Sequence, residues 1–167
     1  MAVTYEPVAT VVLSAGVTNI AFTSIPTTWT DLKFVFNGYT NNGGQYEIIF
    51  NSDTSFVYNR SVLYGTGGNN ASLTNLANNG MGNITDSTAA NTDYPETITL
   101  DIFNYTNAVY KTWLYSRSSE RLGISNTTRL AGSQAVTTAI SGIRISTTGG
   151  SVFSIGSSAT IYGIKAA

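Results

Sequence analysis

The stretch Thr97-Ile98-Thr99-Leu100-Asp101-Ile102 decides the fold of this chain. Its apolar residues Ile98, Leu100 and Ile102 occupy every second position, and polar residues occupy the positions between them. Successive side chains of a β-strand point to opposite faces, so a period of two is typical of a strand with one face in a core and the other in water. We therefore predict a half-buried strand here.

The same alternation extends outward along the chain in both directions. Segments 32–36 and 46–50 repeat it with larger side chains, and residue types that suit a pleated surface (Thr, Val, Ile, Tyr and Phe) are abundant throughout. Turn-forming Asn-Gly and Gly-Gly pairs separate the segments. The pattern predicts ten strands, near 3–13, 17–23, 32–38, 45–50, 56–64, 97–105, 109–117, 121–130, 137–146 and 152–164.

These strands define the expected architecture. No convincing helical segment interrupts them, which favours an all-β fold. We predict an antiparallel β-sandwich, jelly-roll-like, of about 8–10 strands in a single domain, 1–167. Residues 66–94 are the exception, because Ser, Thr, Asn, Gly and Asp dominate there without clear alternation. We predict a long loop near 66–94, of a length that is usually functional or disordered.

The composition excludes several kinds of chemistry. Ser, Thr, Asn and Gly supply 75 of the 167 residues, only 17 residues are charged, and none is His or Cys. Disulfides, thiolate or imidazole metal sites and a Ser-His-Asp triad are therefore impossible. A net charge of −1 argues against a sequence-independent nucleic-acid binder. We predict that the protein is not an enzyme and binds no cofactor, no metal and no nucleic acid.

The sequence shows no recognisable targeting or membrane segment. The first residues lack a basic region, and no apolar run approaches the roughly 18 residues of a spanning helix. We expect a protein that is synthesised in the cytoplasm and has no membrane partner.

Four acidic residues are candidates for a catalytic carboxylate pair: Glu47, Asp53, Glu96 and Asp101. Glycoside hydrolysis needs two carboxylates about 5–10 Å apart across a cleft, a condition that some pair among nine acids meets by chance. Asn51-Ser52-Asp53 is similar to a fragment of a calcium loop but lacks the spaced acids and the closing Glu of that motif. An Asx turn that caps a hairpin is the better interpretation.

The aromatic residues offer candidates for a contact surface. Trp113 and Tyr115 share a strand face with Arg117, and Trp29 follows a turn. Mixed aromatic and cationic faces are typical of binding patches, so we predict an oligomer interface that includes Trp29, Trp113, Tyr115 and Arg117. Packing of these rings in a core, and stacking on a sugar, are the alternatives.

Several segments resemble a family of small virion proteins of tailed phages, which are described as structural, decoration or fibre-like proteins. The resemblance lies in residues 5–10, in 22–32 and in the closing Tyr162-Gly163-Ile164-Lys165-Ala166-Ala167. Segments 51–65 and 99–105, followed by Lys111-Thr112, fit the same pattern. The chain departs from it at 132–135, where the family pattern has a Trp followed by a small polar residue.

The resemblance implies a virion protein on the capsid exterior, made in the host cytoplasm, with the major capsid protein as partner. We expect a capsid decoration (cement) protein that binds and stabilises the assembled head as a homotrimer, with Tyr5, Pro7 and Val8 as its docking surface. The alternative is a receptor- or carbohydrate-binding protein of a head or tail fibre, for which a glycan receptor is the partner. The family has no catalytic residues to transfer to this chain.

Overall fold

A computed structural model describes residues 4–55, 57–66, 69–73, 84–85, 92, 94–121 and 124–165. In these ranges the backbone forms strands and turns and contains no helix. No helix that could span a membrane is found among them. The strands, numbered in chain order, are β1 (Thr4–Val12), β2 (Asn19–Phe22), β3 (Asp31–Gly38), β4 (Tyr46–Phe50), β5 (Tyr58–Thr66), β6 (Asn69–Leu73), β7 (Ile84–Thr85), β8 (Glu96–Phe103), β9 (Lys111–Arg121), β10 (Ile124–Gln134), β11 (Ile143–Thr147) and β12 (Ser158–Lys165).

The strands form two sheets in which every pairing is antiparallel. The large sheet has the order β1-β12-β3-β8-β9-β10-β5-β6, and the small sheet has the order β2-β11-β4-β7. β1 pairs with β12, β2 with β11, β3 with β8 and β4 with β7. Pairing of early with late strands across two sheets is the wrapping of a jelly roll, so the predicted fold class is confirmed.

Eight strands make up this jelly roll: β1, β2, β3, β4, β7, β8, β11 and β12. Two further hairpins are inserted between them. β5 and β6 lie between β4 and β7 in the chain, and β9 and β10 lie between β8 and β11. The two insertions pair with each other through β5 and β10, and β9 pairs with β8. They therefore widen one sheet to eight strands and leave the other at four.

The core lies between the two sheets and follows the alternation in the sequence. Leu32, Phe34 and Phe36 of β3 are fully buried, as are the three apolar residues of the 97–102 stretch. Phe36 contacts the rings of Phe153 and Tyr46, at centroid distances of 5.1 and 5.5 Å. Burial of these large side chains supplies the main driving force for closing one sheet onto the other.

The prediction for 66–94 requires a correction. β6 and β7 lie inside this range, where we predicted a loop, and they pair with β5 and β4. β6 is rich in Asn and Ser and β7 has only two residues, so neither carries enough apolar alternation to be recognised from the sequence. The remaining parts of the range, 67–68, 74–83, 86–91 and 93, lie outside the described residues.

The strand connections gather at two ends of the sandwich. We call one the glycine end, formed by 13–18, 39–45 and 148–157. We call the other the serine-asparagine end, formed by 23–30, 51–55, 104–110 and 135–142. The names reflect the residues that adopt positive φ at each end.

Candidate functional site

The predicted oligomer surface on β9 is wrong, because its residues lie inside the chain. Trp113, Tyr115 and Arg117 are 1, 3 and 2% exposed. The prediction that these residues share a face is right, but that face points into the sandwich and not into solvent. The outward positions of β9 carry Thr112, Leu114 and other residues between the buried ones.

Arg117 is buried because it has a buried partner. Its Nε and Nη2 donate to the two carboxylate oxygens of Glu96 at 2.8 and 3.0 Å, and Glu96 is 1% exposed. The guanidinium carbon also lies 5.0 Å from the centre of the Tyr46 ring. A bidentate pair of this geometry compensates part of the cost of removing both charges from water. The arrangement assigns Arg117 and Glu96 to the internal structure.

Trp29 is half-buried and packs on the end of the large sheet. A Cβ added at Gly163 would meet the Trp29 ring at 2.2 Å, so the ring lies directly against the glycine backbone of β12. The Trp29 amide donates to the Tyr105 hydroxyl at 3.4 Å, and that hydroxyl donates to the Pro26 carbonyl. Burial raises the pKa of Tyr105. These contacts join the connection 23–30 to the start of 104–110.

The predicted docking residues lie on β1, which is an edge strand of the large sheet. Tyr5 is 58% exposed, Pro7 is also exposed, and Val8 is half-buried against the core. A register shift follows Pro7, which has no N–H to offer to a further strand. Tyr5 and Pro7 are thus accessible together, whereas Val8 belongs to the packing.

Three of the four candidate catalytic carboxylates are engaged in other contacts, whereas the half-buried Glu47 makes no ion pair among the described residues. Asp101 accepts from Lys33 Nζ at 2.6 Å across β3 and β8, and Glu96 is bound to Arg117. The Ser55 amide and hydroxyl donate to Asp53, which lowers the pKa of its carboxyl group. No cluster of three or more Asp or Glu residues that could hold a metal ion occurs within the part of the chain that the structure describes.

The Asx turn predicted at 51–53 is found at 53–55 instead, and it caps no hairpin. Asp53 accepts from the amide of Ser55, two residues on, at 2.9 Å. β4 and β5 lie in different sheets, so the turn carries the chain from one sheet to the other. Asn51 and Ser52 have φ values of 52° and 58°, and the Asp53 amide donates to the Phe50 carbonyl at 2.9 Å.

The side chain of Asn51 ties this turn to a neighbouring segment. Its Oδ1 accepts from the amides of Ser141 and Gly142 at 2.8 and 3.0 Å, and its Nδ2 donates to the Ala139 carbonyl at 2.8 Å. The Asn51 amide also donates to the Gly142 carbonyl. One asparagine therefore fixes the turn after β4 against the segment that enters β11.

A pocket of about 380 Å³ lies where these segments meet the end of β2. Its walls come from the end of β2 and the residues after it, from Asn51 and Ser52, and from 141–144. Three non-glycine residues with positive φ (Ser24, Asn51 and Ser52) line it. Left-handed backbone at non-glycine residues costs free energy and tends to occur at functional sites. This pocket is our candidate functional site.

Arg144 is the one charged residue among the described residues that line the pocket. On β11 it lies between Ala21 of β2 and Ile49 of β4. Its Nε is buried and has no hydrogen-bond partner. The residue as a whole is half-buried and lines the pocket, and a cation without an acidic partner there favours a negatively charged ligand.

Two further buried polar side chains, Lys111 and Tyr58, lie near the serine-asparagine end. Lys111 is 0% exposed and donates to the carbonyls of Asn107, Val109 and Thr137, and burial lowers its pKa. Tyr58 accepts from the Phe50 amide at 2.8 Å and links the two sheets. Burial, with a smaller contribution from the charge of Asp53, raises the pKa of Tyr58 to about 12.

Sequence analysis did not identify Arg144 as a functional residue, because the residues around it give only a weak signal. Ile143, Arg144 and Ile145 form an alternating strand, in which a charged residue between two apolar ones is typical of a solvated face. The pocket depends on Asn51 and Gly142, which are far apart in the chain. No family model, no curated protein and no solved structure matches this chain.

Proposed function

We propose that this protein is a structural component of a phage virion, a decoration protein that binds the exterior of the assembled head. The observation that supports a structural rather than a catalytic role is the use of its ionised groups. Glu96, Asp101 and Asp53 are each bound by a partner within the chain, so three of the four candidate carboxylates make contacts that stabilise the fold.

The fold is suited to this role. Antiparallel sheets satisfy the backbone hydrogen bonds internally, and two Met with no Cys leave few groups to oxidise outside a cell. A decoration protein that binds only the assembled shell stabilises it by mass action, by RT ln(1 + [L]/Kd) at each site. Many equivalent sites on one particle multiply a modest affinity into substantial resistance to internal pressure.

The proposed contact with the major capsid protein is the exposed pair Tyr5 and Pro7. Both lie on the edge strand β1, where side chains rather than a further ladder of hydrogen bonds would make the contact, because Pro7 has no N–H. The proposed homotrimer uses other surface residues than those predicted on β9, which lie in the interior.

The test is the amount and position of the protein in purified virions. We expect as many copies as the capsid has symmetry-equivalent sites, located on the head in a reconstruction of the particle. Tyr5→Ala with Pro7→Ala should abolish co-sedimentation with empty, expanded heads. Val12→Ala, at the exposed far end of the same strand, is the matched control and should bind normally. Absence from the head would contradict the proposal.

The second candidate is a receptor- or carbohydrate-binding protein of a fibre. The observation that favours it is the pocket at the serine-asparagine end, whose lining is rich in hydroxyl and amide groups. A low copy number, confined to a tail or head fibre, would support this candidate over decoration.

A further inference from the structure

Arg144 is half-buried and lines the pocket, and it makes no ion pair within the described residues. Arginine presents its donors as a planar fork. That fork matches the two oxygens of a carboxylate, and charge-assisted bonds of this kind are shorter and stronger than neutral ones. The complementary ligand therefore carries a carboxylate.

The surrounding charges favour an anion and offer no internal substitute for it. No acidic residue is among the described residues that line the pocket. Asp53, next to the lining residue Ser52, is already bound by Ser55. Glu47 lies on β4 opposite Ser146, and it makes no described ion pair with Arg144.

The remaining lining indicates what else the ligand carries. Asn19, Thr23, Ser24 and Ser52 line the pocket and are exposed, so their amide and hydroxyl groups face solvent in the free protein. Such groups donate and accept in turn, which suits a ligand with several hydroxyls. A volume of about 380 Å³ falls within the range typical of small-molecule sites.

The walls are held in place before any ligand arrives. Asn51 binds the backbone of residues 139–142, and Ser24 and Ser52 are fixed in left-handed conformations on the opposite walls. A site that is already ordered loses less conformational entropy on binding. This preorganisation distinguishes the pocket from an ordinary gap between two loops.

We propose that this pocket binds a carboxylate-bearing sugar, such as a uronic acid residue of a glycan, with Arg144 on the carboxylate. The inference rests on the second candidate function only because both assume that the pocket binds a sugar. It requires no particular position in a virion, and a decoration protein could carry the same site.

The test is a calorimetric titration of the full chain with D-glucuronate, D-glucose and acetate. We expect saturable binding of glucuronate, with glucose and acetate each at least about tenfold weaker, because each supplies only half of the recognised groups. Arg144→Gln should weaken glucuronate binding about tenfold or more. Arg129→Gln, which removes the same charge from an exposed position on β10, is the control and should leave binding unchanged.

A second variant keeps the test informative if Arg144→Gln does not fold. Ala21 is exposed on β2 opposite Arg144, and Ala21→Tyr places a strand-compatible side chain in the pocket without removing the arginine. It should abolish binding in a protein that remains folded. Equal affinities for glucose and glucuronate, full binding by Ala21→Tyr, or no saturable binding of glucuronate would each overturn the proposal. If capsid association persisted in that case, only this inference would fail.

Discussion

The two ends of the sandwich meet the same backbone demand with different residues. At the glycine end, positive φ occurs at Gly43, Gly44, Gly149, Gly150 and Gly156. At the serine-asparagine end, it occurs at Ser24, Asn51, Ser52 and Asn104. Glycine adopts this conformation without steric cost, whereas other residues need compensating contacts. Glycine therefore relieves the backbone at one end, whereas at the other end Asn51 is held by side-chain hydrogen bonds to residues 139–142.

The cations near the two ends also differ, in whether an acidic side chain of the protein neutralises them. Near the glycine end, Arg117 is neutralised by Glu96. Near the serine-asparagine end, Lys111 donates to backbone carbonyls, and the half-buried Arg144 makes no ion pair within the part of the chain that the structure describes. The charge of the arginine is therefore neutralised at the glycine end, whereas at the other end it is left for an external anion.

The largest expected effect concerns the completed ion pair. Arg117→Ala should lower the free energy of unfolding by about 4 kcal/mol, because it leaves the Glu96 carboxylate buried without its partner. Urea denaturation measures this. The double change Arg117→Met with Glu96→Gln should recover a large part of the loss, since it removes both charges. No recovery would mean that packing, and not charge pairing, stabilises this part of the core.

The next effect concerns the asparagine that holds the pocket wall. Asn51→Ala should cost about 3 kcal/mol, because it removes four hydrogen bonds and leaves an alanine at φ 52°. Asn42→Ala, at an exposed position of the glycine end, is the control and should change stability little. If thermal unfolding showed a similar loss of stability in the two variants, the proposed difference between the ends would be wrong.

Alkaline pH should weaken the link between the sheets through Tyr58. Its pKa is raised to about 12 in the folded chain, so between pH 10 and about 12 the unfolded chain loses this proton while the folded chain keeps it. Stability therefore falls as pH rises through this window. The decline should be shallower in Tyr58→Phe, which has no phenol to ionise, and denaturation curves from pH 9 to 12 would show whether it is.

The smallest effects are substitutions of opposite sign at the two ends. Gly149→Ala should cost about 1 kcal/mol, because φ is 68° and no neighbouring atom lies near enough for an added Cβ to gain a contact. Ser52→Gly should instead raise stability by about 0.5 kcal/mol by relieving a left-handed serine. Matched thermal unfolding curves decide the signs. A loss of stability in Ser52→Gly would show that the serine hydroxyl compensates its backbone strain.

Much of the fold could be predicted from the sequence because alternation is a local signal. Strands such as β3 and β8 carry their full pattern of buried apolar residues within eight positions. β6 and β7 were missed because a strand that is mostly polar, or only two residues long, is positioned by its partner and not by its own pattern. The grouping of Trp113, Tyr115 and Arg117 on one face was also predictable, but the direction of that face was not.

The candidate site could not be predicted, for a physical reason. A buried arginine such as Arg117 implies a buried acid, and Glu96 lies 21 residues away in the chain, so sequence alone does not distinguish it from a surface arginine such as Arg129. Arg144 becomes notable only when Asn51 and Ser24 are brought beside it. Turn residues at 51–53 were recognised, but their role as a pocket wall depends on tertiary contacts.

The most direct test of the account is the NMR signal of the Arg144 Nε–H group during a titration with D-glucuronate. At the serine-asparagine end, a half-buried arginine without an ion pair among the described residues lines a preformed pocket. We therefore expect a saturable downfield shift of this signal, with amide shifts at residues 21–24, 51–52 and 141–144 and none at 148–157. An unchanged Arg144 signal, or shifts that are strongest at the glycine end, would contradict the proposed site.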